Sequence, residues 1–238
     1  MLVNLNLRFS LYKDFNMHTI LIIGLILLLN GISVFAQDGT PDHYFGINGT
    51  TILTSPPTEV RCSDFFQVES GYIVAAQTSV GPQLMKLTQN GKLDSTFGMN
   101  GVVDIPVSGG WYLHAALQYG NKIVAACVTS SSIIVTRWGE NGARDMSFGY
   151  NGIATITFDG TLPLTRDIAV DSQNRIVVCA QINQDTYRFT GIARLLPTGA
   201  PDTDFGNQGK VILTIDDDRI IPYDITIGDD NRIAVACN

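Results

Sequence analysis

The sequence predicts an all-β protein built as an array of four-stranded units, and three observations predict it. A glycine-rich motif, Gly-x-x-Asp-x-x-Phe-Gly-x-x-Gly, recurs four times in 238 residues, and self-similarity at a period of 20–50 residues or slightly more marks repeat architectures. Charged residues make up 16% against 45% hydrophobic, and 23 glycines punctuate the chain, as suits β-branched strands joined by tight turns. After residue 36 no window sustains a helical period of apolar residues.

The motif copies are Gly39, Asp42, Phe45, Gly46, Gly49; Gly91, Asp94, Phe97, Gly98, Gly101; Gly142, Asp145, Phe148, Gly149, Gly152; and Gly199, Asp202, Phe205, Gly206, Gly209. They step by 52, 51 and 57 residues. A cation stands five residues ahead of the last three copies: Lys86, Arg137 and Arg194. An apolar run opens at Ile73, Ile123, Ile176 and Ile233, and nine residues before each Ile comes Asp64, His114, Asp167 or Asp224. Each unit therefore reads as inner strand, Ile-led strand, cation-bearing strand, glycine turn and outer strand. Four short strands per unit are the dimensions of a propeller blade.

The motif itself reads as structural. Glycine adopts positive φ without steric cost. Asn48-Gly49, Asn100-Gly101 and Asn151-Gly152 are hairpin-turn dipeptides. The aspartate suits an Asx turn, and the phenylalanine suits a plug between units. No helix follows the glycines to supply a phosphate cradle. Lys86, Arg137 and Arg194 read as partners of the motif aspartates.

The string from Asn90 to Gly101, NGKLDSTFGMNG, with GARDMSFGYNG and GAPDTDFGNQG after it, resembles the signature of the delta-60 repeat β-propeller family. The resemblance covers essentially everything after residue 38. It implies a propeller-like fold in secreted or surface proteins, and it implies no activity.

The repeat phase divides residues 37–238 into blades at about 60–107, 111–158 and 164–215, a partial blade over 223–238, and a lone outer strand at 50–54. About 3.5 blades make an incomplete ring, since propellers have four to eight. A truncated, non-functional fragment and a ring assembled from several copies of the chain both account for this.

Residues 1–36 read as a signal peptide. Ile20 to Leu29 is apolar apart from Gly24, and Val34 and Ala36 fit the small residues of a cleavage site. Arg8 and Lys13 supply positive charge, and Met17 is an alternative start. The competing reading is an uncleaved anchor, but about ten apolar residues fall short of the ~20 that span a bilayer. The expected location is secreted or extracytoplasmic, with membrane contact only through this segment.

Net charge is −7, which disfavours a nucleic-acid partner. Catalytic and nucleotide motifs are absent, and no motif implies a cofactor. The four cysteines show no C-x-x-C pair and read as free thiols on different blades. Loops on one face vary in length while the other face is nearly constant, so binding is expected on the variable face, with Trp111, Tyr112 and Tyr187 as aromatic candidates. Asp64, His114, Asp167 and Asp224 begin the inner strands there. They either line a channel mouth, offering oxygen and imidazole donors to a cation, or bond a neighbouring blade's backbone. The leading functional expectation is a non-enzymatic binding or scaffold module for a protein or glycan. The alternative is a lyase- or hydrolase-like propeller with a metal at the channel mouth.

Overall fold

The computed structural model describes residues 23–24, 31–34, 39–53, 60–107, 109–158, 162–184, 187–214 and 220–238. Every regular element among them is a strand. None of them forms a helix long and apolar enough to cross a membrane. Strands β1 (Ile23–Gly24), β2 (Gly31–Val34) and β3 (Thr50–Ile52) form a three-stranded antiparallel sheet. Strands β4 (Arg61–Val68), β5 (Gly71–Thr78), β6 (Gly81–Thr88) and β7 (Val102–Asp104) form the first four-stranded sheet. The second contains β8 (Trp111–Gln118), β9 (Lys122–Val128), β10 (Ile133–Trp138) and β11 (Ile153–Ile156). The third contains β12 (Leu162–Val170), β13 (Ile176–Gln184), β14 (Tyr187–Leu195) and β15 (Lys210–Leu213). Strands β16 (Pro222–Ile227) and β17 (Ile233–Cys237) pair alone.

Each full sheet is an antiparallel meander with its strands in chain order. The first strands meet one another between sheets, β4 with β8, β8 with β12 and β12 with β16. They line the axis of the array, and the ring does not close. The expected lone outer strand at 50–54 needs correction. Thr50–Ile52 pairs with Gly31–Val34, which supplies hydrogen-bond partners that a solitary strand would leave to water. Most of the expected signal segment lies outside the described residues. Its two described stretches, β1 and β2, are sheet strands.

The core sits between the sheets. The Ile-led strands β5, β9 and β13 are buried on both faces, which is why they read as unbroken apolar runs. Their alternating residues serve two cores. Ile73 and Ala75 meet Ile123, Ala125 and Cys127 of the next sheet, while Val124 and Ala126 meet Ile176, Val178 and Ala180 of the one after. Cys127 and Cys179 are buried free thiols in these layers, and burial pushes each up to about 12. Cys62 is half-buried, and Cys237 is exposed on β17.

The motif joins the units. Phe45, Phe97 and Phe148 are essentially fully buried. Each lies against the first glycine of the next copy. A Cβ on Gly91, Gly142 or Gly199 would stand 2.8, 3.1 or 2.9 Å from the preceding ring. The glycine after each phenylalanine donates its N–H to the next unit: Gly46 to Asn90 O (2.8 Å), Gly98 to Asn141 O (3.0 Å) and Gly149 to Thr198 O (2.7 Å). Asn48, Asn100 and Asn151 take φ near +50°, and Gln208 holds the same position in the fourth copy.

The motif aspartate works with both oxygens. Asp145 Oδ1 accepts from Ser147 N and Oγ (3.1 and 2.6 Å), while Oδ2 faces Arg137 Nε at 3.1 Å and Lys122 Nζ at 3.4 Å. Lys86–Asp94 (3.3 Å) and Arg194–Asp202 (2.7 Å) repeat the pair. Arg137 and Arg194 also lie over the Phe148 and Phe205 rings.

Phe148→Ala is expected to cost about 3–5 kcal/mol in urea unfolding, as large-to-small core changes do. Gly199→Ala is expected to destabilise too, because its φ is +88° and its Cβ would strike the same ring. Acid sensitivity follows from Asp145. Hydrogen bonds from the Ser147 side chain and backbone, with the Arg137 and Lys122 charges, hold its carboxyl down at about 2 against burial. A depressed carboxylate stabilises the fold above its unfolded value and loses that contribution as pH falls through the folded one. Asp145→Asn is therefore expected to lower stability at pH 7 and to flatten the fall in stability between roughly pH 4 and pH 2. Denaturant titrations across that range check it.

Candidate functional site

The inner strands carry a recurrent irregularity. The β4–β5 register shifts between Cys62 and Asp64, β8–β9 between Trp111 and His114, β12–β13 between Thr165 and Asp167, and β16–β17 between Pro222 and Asp224. Such bulges bend a strand and re-aim a side chain. Here each shift ends on the residue nine before the Ile-led run. The bulge itself is anchored across units at Ser63, whose Oγ donates to Leu113 O of the next sheet.

The result is a line of polar side chains along the axis. Asp64 Oδ2 accepts from Ala115 N of the next sheet at 3.0 Å. Asp167 Oδ2 likewise accepts from Ile225 N at 2.9 Å, and its Oδ1 from Ile168 N at 2.7 Å. Both carboxylates therefore fasten one unit to the next. His114 Nδ1 lies 3.1 Å from Asp64 Oδ2. The contact lacks hydrogen-bond alignment, so Nδ1 is buried without a directed partner. One donor atom each from Asp64, His114 and Asp167 lies within 4.8 Å of the other two.

Burial and mutual charge set the ionisation of this line. Burial alone would lower the His114 pKa, but the close side-chain contact with Asp64, together with the Asp64 and Asp167 charges, outweighs it and raises the imidazole above its ordinary value, with Arg166 opposing them. Burial pushes the Asp167 carboxyl up to about 7, helped by its hydrogen bond with the Asp224 carboxyl and the nearby Asp64 charge.

The structure thus brings Asp64, His114 and Asp167 into one cluster and sets Asp224 beside Asp167. Trp111 and Tyr112 start the strand that carries His114, and Tyr187 starts β14 on the same face. These aromatics stand outside the cluster. Trp111, Tyr112 and Tyr187 are 60%, 49% and 52% exposed, and Tyr187 stacks on Phe189. Tyr223, exposed and next to Asp224, belongs with them. Arg166, whose Nη2 donates to Gln181 Oε1, neighbours the cluster. Sequence reasoning missed both. Their one signal is their shared position directly before a column residue.

Tyr112 has φ +54°, a rare conformation for an aromatic residue. Among the described residues, the other non-glycine residues with positive φ are seven Asn or Gln. A further concavity of about 860 Å³ lies between β3 and the β6–β7 edge, lined by Ile47, Leu53, Met85, Leu93 and Met99 among others. Its lining is mainly apolar, with Gln83, Lys92, Asn100 and Asp104 as polar groups.

One family model bears on this architecture. A family model described as "Domain of unknown function (DUF5122) beta-propeller" matches residues 173–205, which run from the turn before β13 to Phe205. Among solved structures, Hsv2 of Kluyveromyces lactis aligns at 15% identity and a TM-score of 0.45, over 90% of this chain and 58% of that one. The chain thus spans less than two thirds of that protein's length. No curated protein matches the sequence. The all-β array of four-stranded antiparallel sheets has the architecture of an incomplete β-propeller.

Tyr112→Asn is expected to leave the melting temperature unchanged or to raise stability by up to about 1 kcal/mol, since Asn tolerates left-handed backbone. Differential scanning calorimetry checks it, and a clear loss would show that the ring's packing outweighs the backbone strain.

Proposed function

We propose that this chain is an exported, non-enzymatic propeller module of the delta-60 kind that holds a protein or glycan partner on the face bearing the inter-unit connections. The observation that carries this reading is the placement of Trp111, Tyr112, Tyr187 and Tyr223, all about half or more exposed, at strand starts on that face. Their loops differ in length from unit to unit over a constant scaffold, which is how binding surfaces are commonly built. Large rigid rings give much contact area at low entropic cost. The delta-60 assignment is supported by four copies of one glycine motif, and export by the apolar run and small residues before Gln37.

A second reading of the N-terminus has its own observation. The pairing of β2 with β3 favours a mature chain that keeps β1 and β2 as sheet strands. Intact mass of the mature protein separates the two. A chain starting at Gln37 supports export by cleavage, and one retaining residues 23–34 supports the sheet.

Binding is tested on a glycan array and against protein extracts of the producing cell's surface. Trp111→Ala and Tyr187→Ala are expected to weaken any interaction at least tenfold. Tyr119→Ala and Tyr150→Ala, on the opposite face and 86% and 83% exposed, are expected to change nothing. Equal loss from both pairs would reject the face assignment.

A further inference from the structure

We propose that Asp64, His114 and Asp167 form a divalent-metal site, suited to zinc(II), on the axis where β4, β8 and β12 meet. This reaches beyond the partner-binding reading and stands independently of it. One imidazole nitrogen and two carboxylate oxygens are a donor set that zinc accepts, with open positions left for water or a ligand.

The geometry carries the inference. Two donors bound to one ion at ~2.1 Å stand roughly 3.0–3.4 Å apart at right to tetrahedral angles. His114 Nδ1 and Asp64 Oδ2 are 3.1 Å apart. A separation that short between a nitrogen and a carboxylate oxygen normally means a hydrogen bond, yet the angle does not make one, and Nδ1 is buried without another partner. Nδ1 and Oδ2 are thus close enough to share one ion while His114 Nδ1 makes no hydrogen bond. The Asp167 donor completes the set within 4.8 Å, so small side-chain rotations bring all three onto one ion.

The supporting contacts also fit. Asp64 and Asp167 accept backbone N–H groups from Ala115 and Ile225, each on the following sheet. A carboxylate oxygen that accepts one hydrogen bond still has a lone pair to offer. Hydrogen bonds of this kind orient ligating carboxylates. Three donors from three different sheets would also make the ion a clamp across the axis. Arg166 lies near His114; its Nη2 donates to Gln181 Oε1, while its Nε is buried without a hydrogen-bond partner.

The test uses the full chain without a polyhistidine tag, stripped with EDTA and titrated with zinc chloride by calorimetry, with metal content measured by mass spectrometry. One zinc per chain is expected. His114→Ala and His114→Gln are each expected to weaken binding at least tenfold, while His43→Ala, at an exposed turn position, is expected to leave it unchanged. Absence of binding by the native chain, or full binding by a folded His114 variant, overturns the proposal. Should both His114 variants fail to fold, cobalt(II) on the native chain decides by NMR. Hyperfine-shifted imidazole resonances from a single histidine support the site, and their absence overturns it.

Discussion

The array depends on one contact, a phenylalanine ring lying on a glycine of the next repeat. Phe45 on Gly91, Phe97 on Gly142 and Phe148 on Gly199 bring successive sheets so close that no side chain fits at the glycine. The same approach lets the next residue's N–H reach a carbonyl across the gap. Dispersion and burial supply the attraction, and the hydrogen bond fixes the angle. With the angle set at the rim, the Ile-led strands face one another along their length, and the first strands converge on the axis. The motif aspartate and its cation keep the turn rigid from beneath, and the arginine also covers the ring in two of the three units that carry the cation.

Much of the fold was legible because these demands fall on residue types that few others can replace. Asn-Gly at the turn, Gly under a ring and Asp with a following N–H all leave fixed letters at fixed spacing. The unbroken apolar runs of β5, β9 and β13 likewise announced strands buried on both faces. The N-terminus was harder. Ile20 to Leu29 is apolar enough to suit a signal segment. Pairing of Gly31–Val34 with Thr50–Ile52 depends on register, which composition does not encode.

The axial cluster was only half legible. Common spacing identified Asp64, His114, Asp167 and Asp224 as equivalent residues. Nothing in the spacing reveals that a bulge precedes each of them, because Ser63, Arg166 and Tyr223 are not the glycines that usually betray a bulge. Without the bulge, the distances within the cluster have no reason to be short. The backbone role and the donor role are also compatible in three dimensions. A carboxylate can accept a neighbouring strand's N–H and still present a free lone pair to the axis.

The same contact explains why the two ends of the described array differ from its middle. Gly39, at the start, has nothing within 4 Å of where its Cβ would lie. Phe205, the last motif phenylalanine, is only half-buried, whereas its three equivalents are 0–1% exposed. Each holds one half of a contact that every interior unit makes whole. In a repeat array, stability is close to a sum of unit and interface terms, so a unit with one interface is held less firmly than a unit with two. Alternate residues along β17 are exposed, whereas Ile176 to Ala180 of β13, with a sheet on each face, are completely buried. An Ile-led strand is thus not intrinsically a core strand. It becomes one only when a sheet packs onto each of its faces, as β12–β15 shows by burying Val177 and Cys179 against β16 and β17.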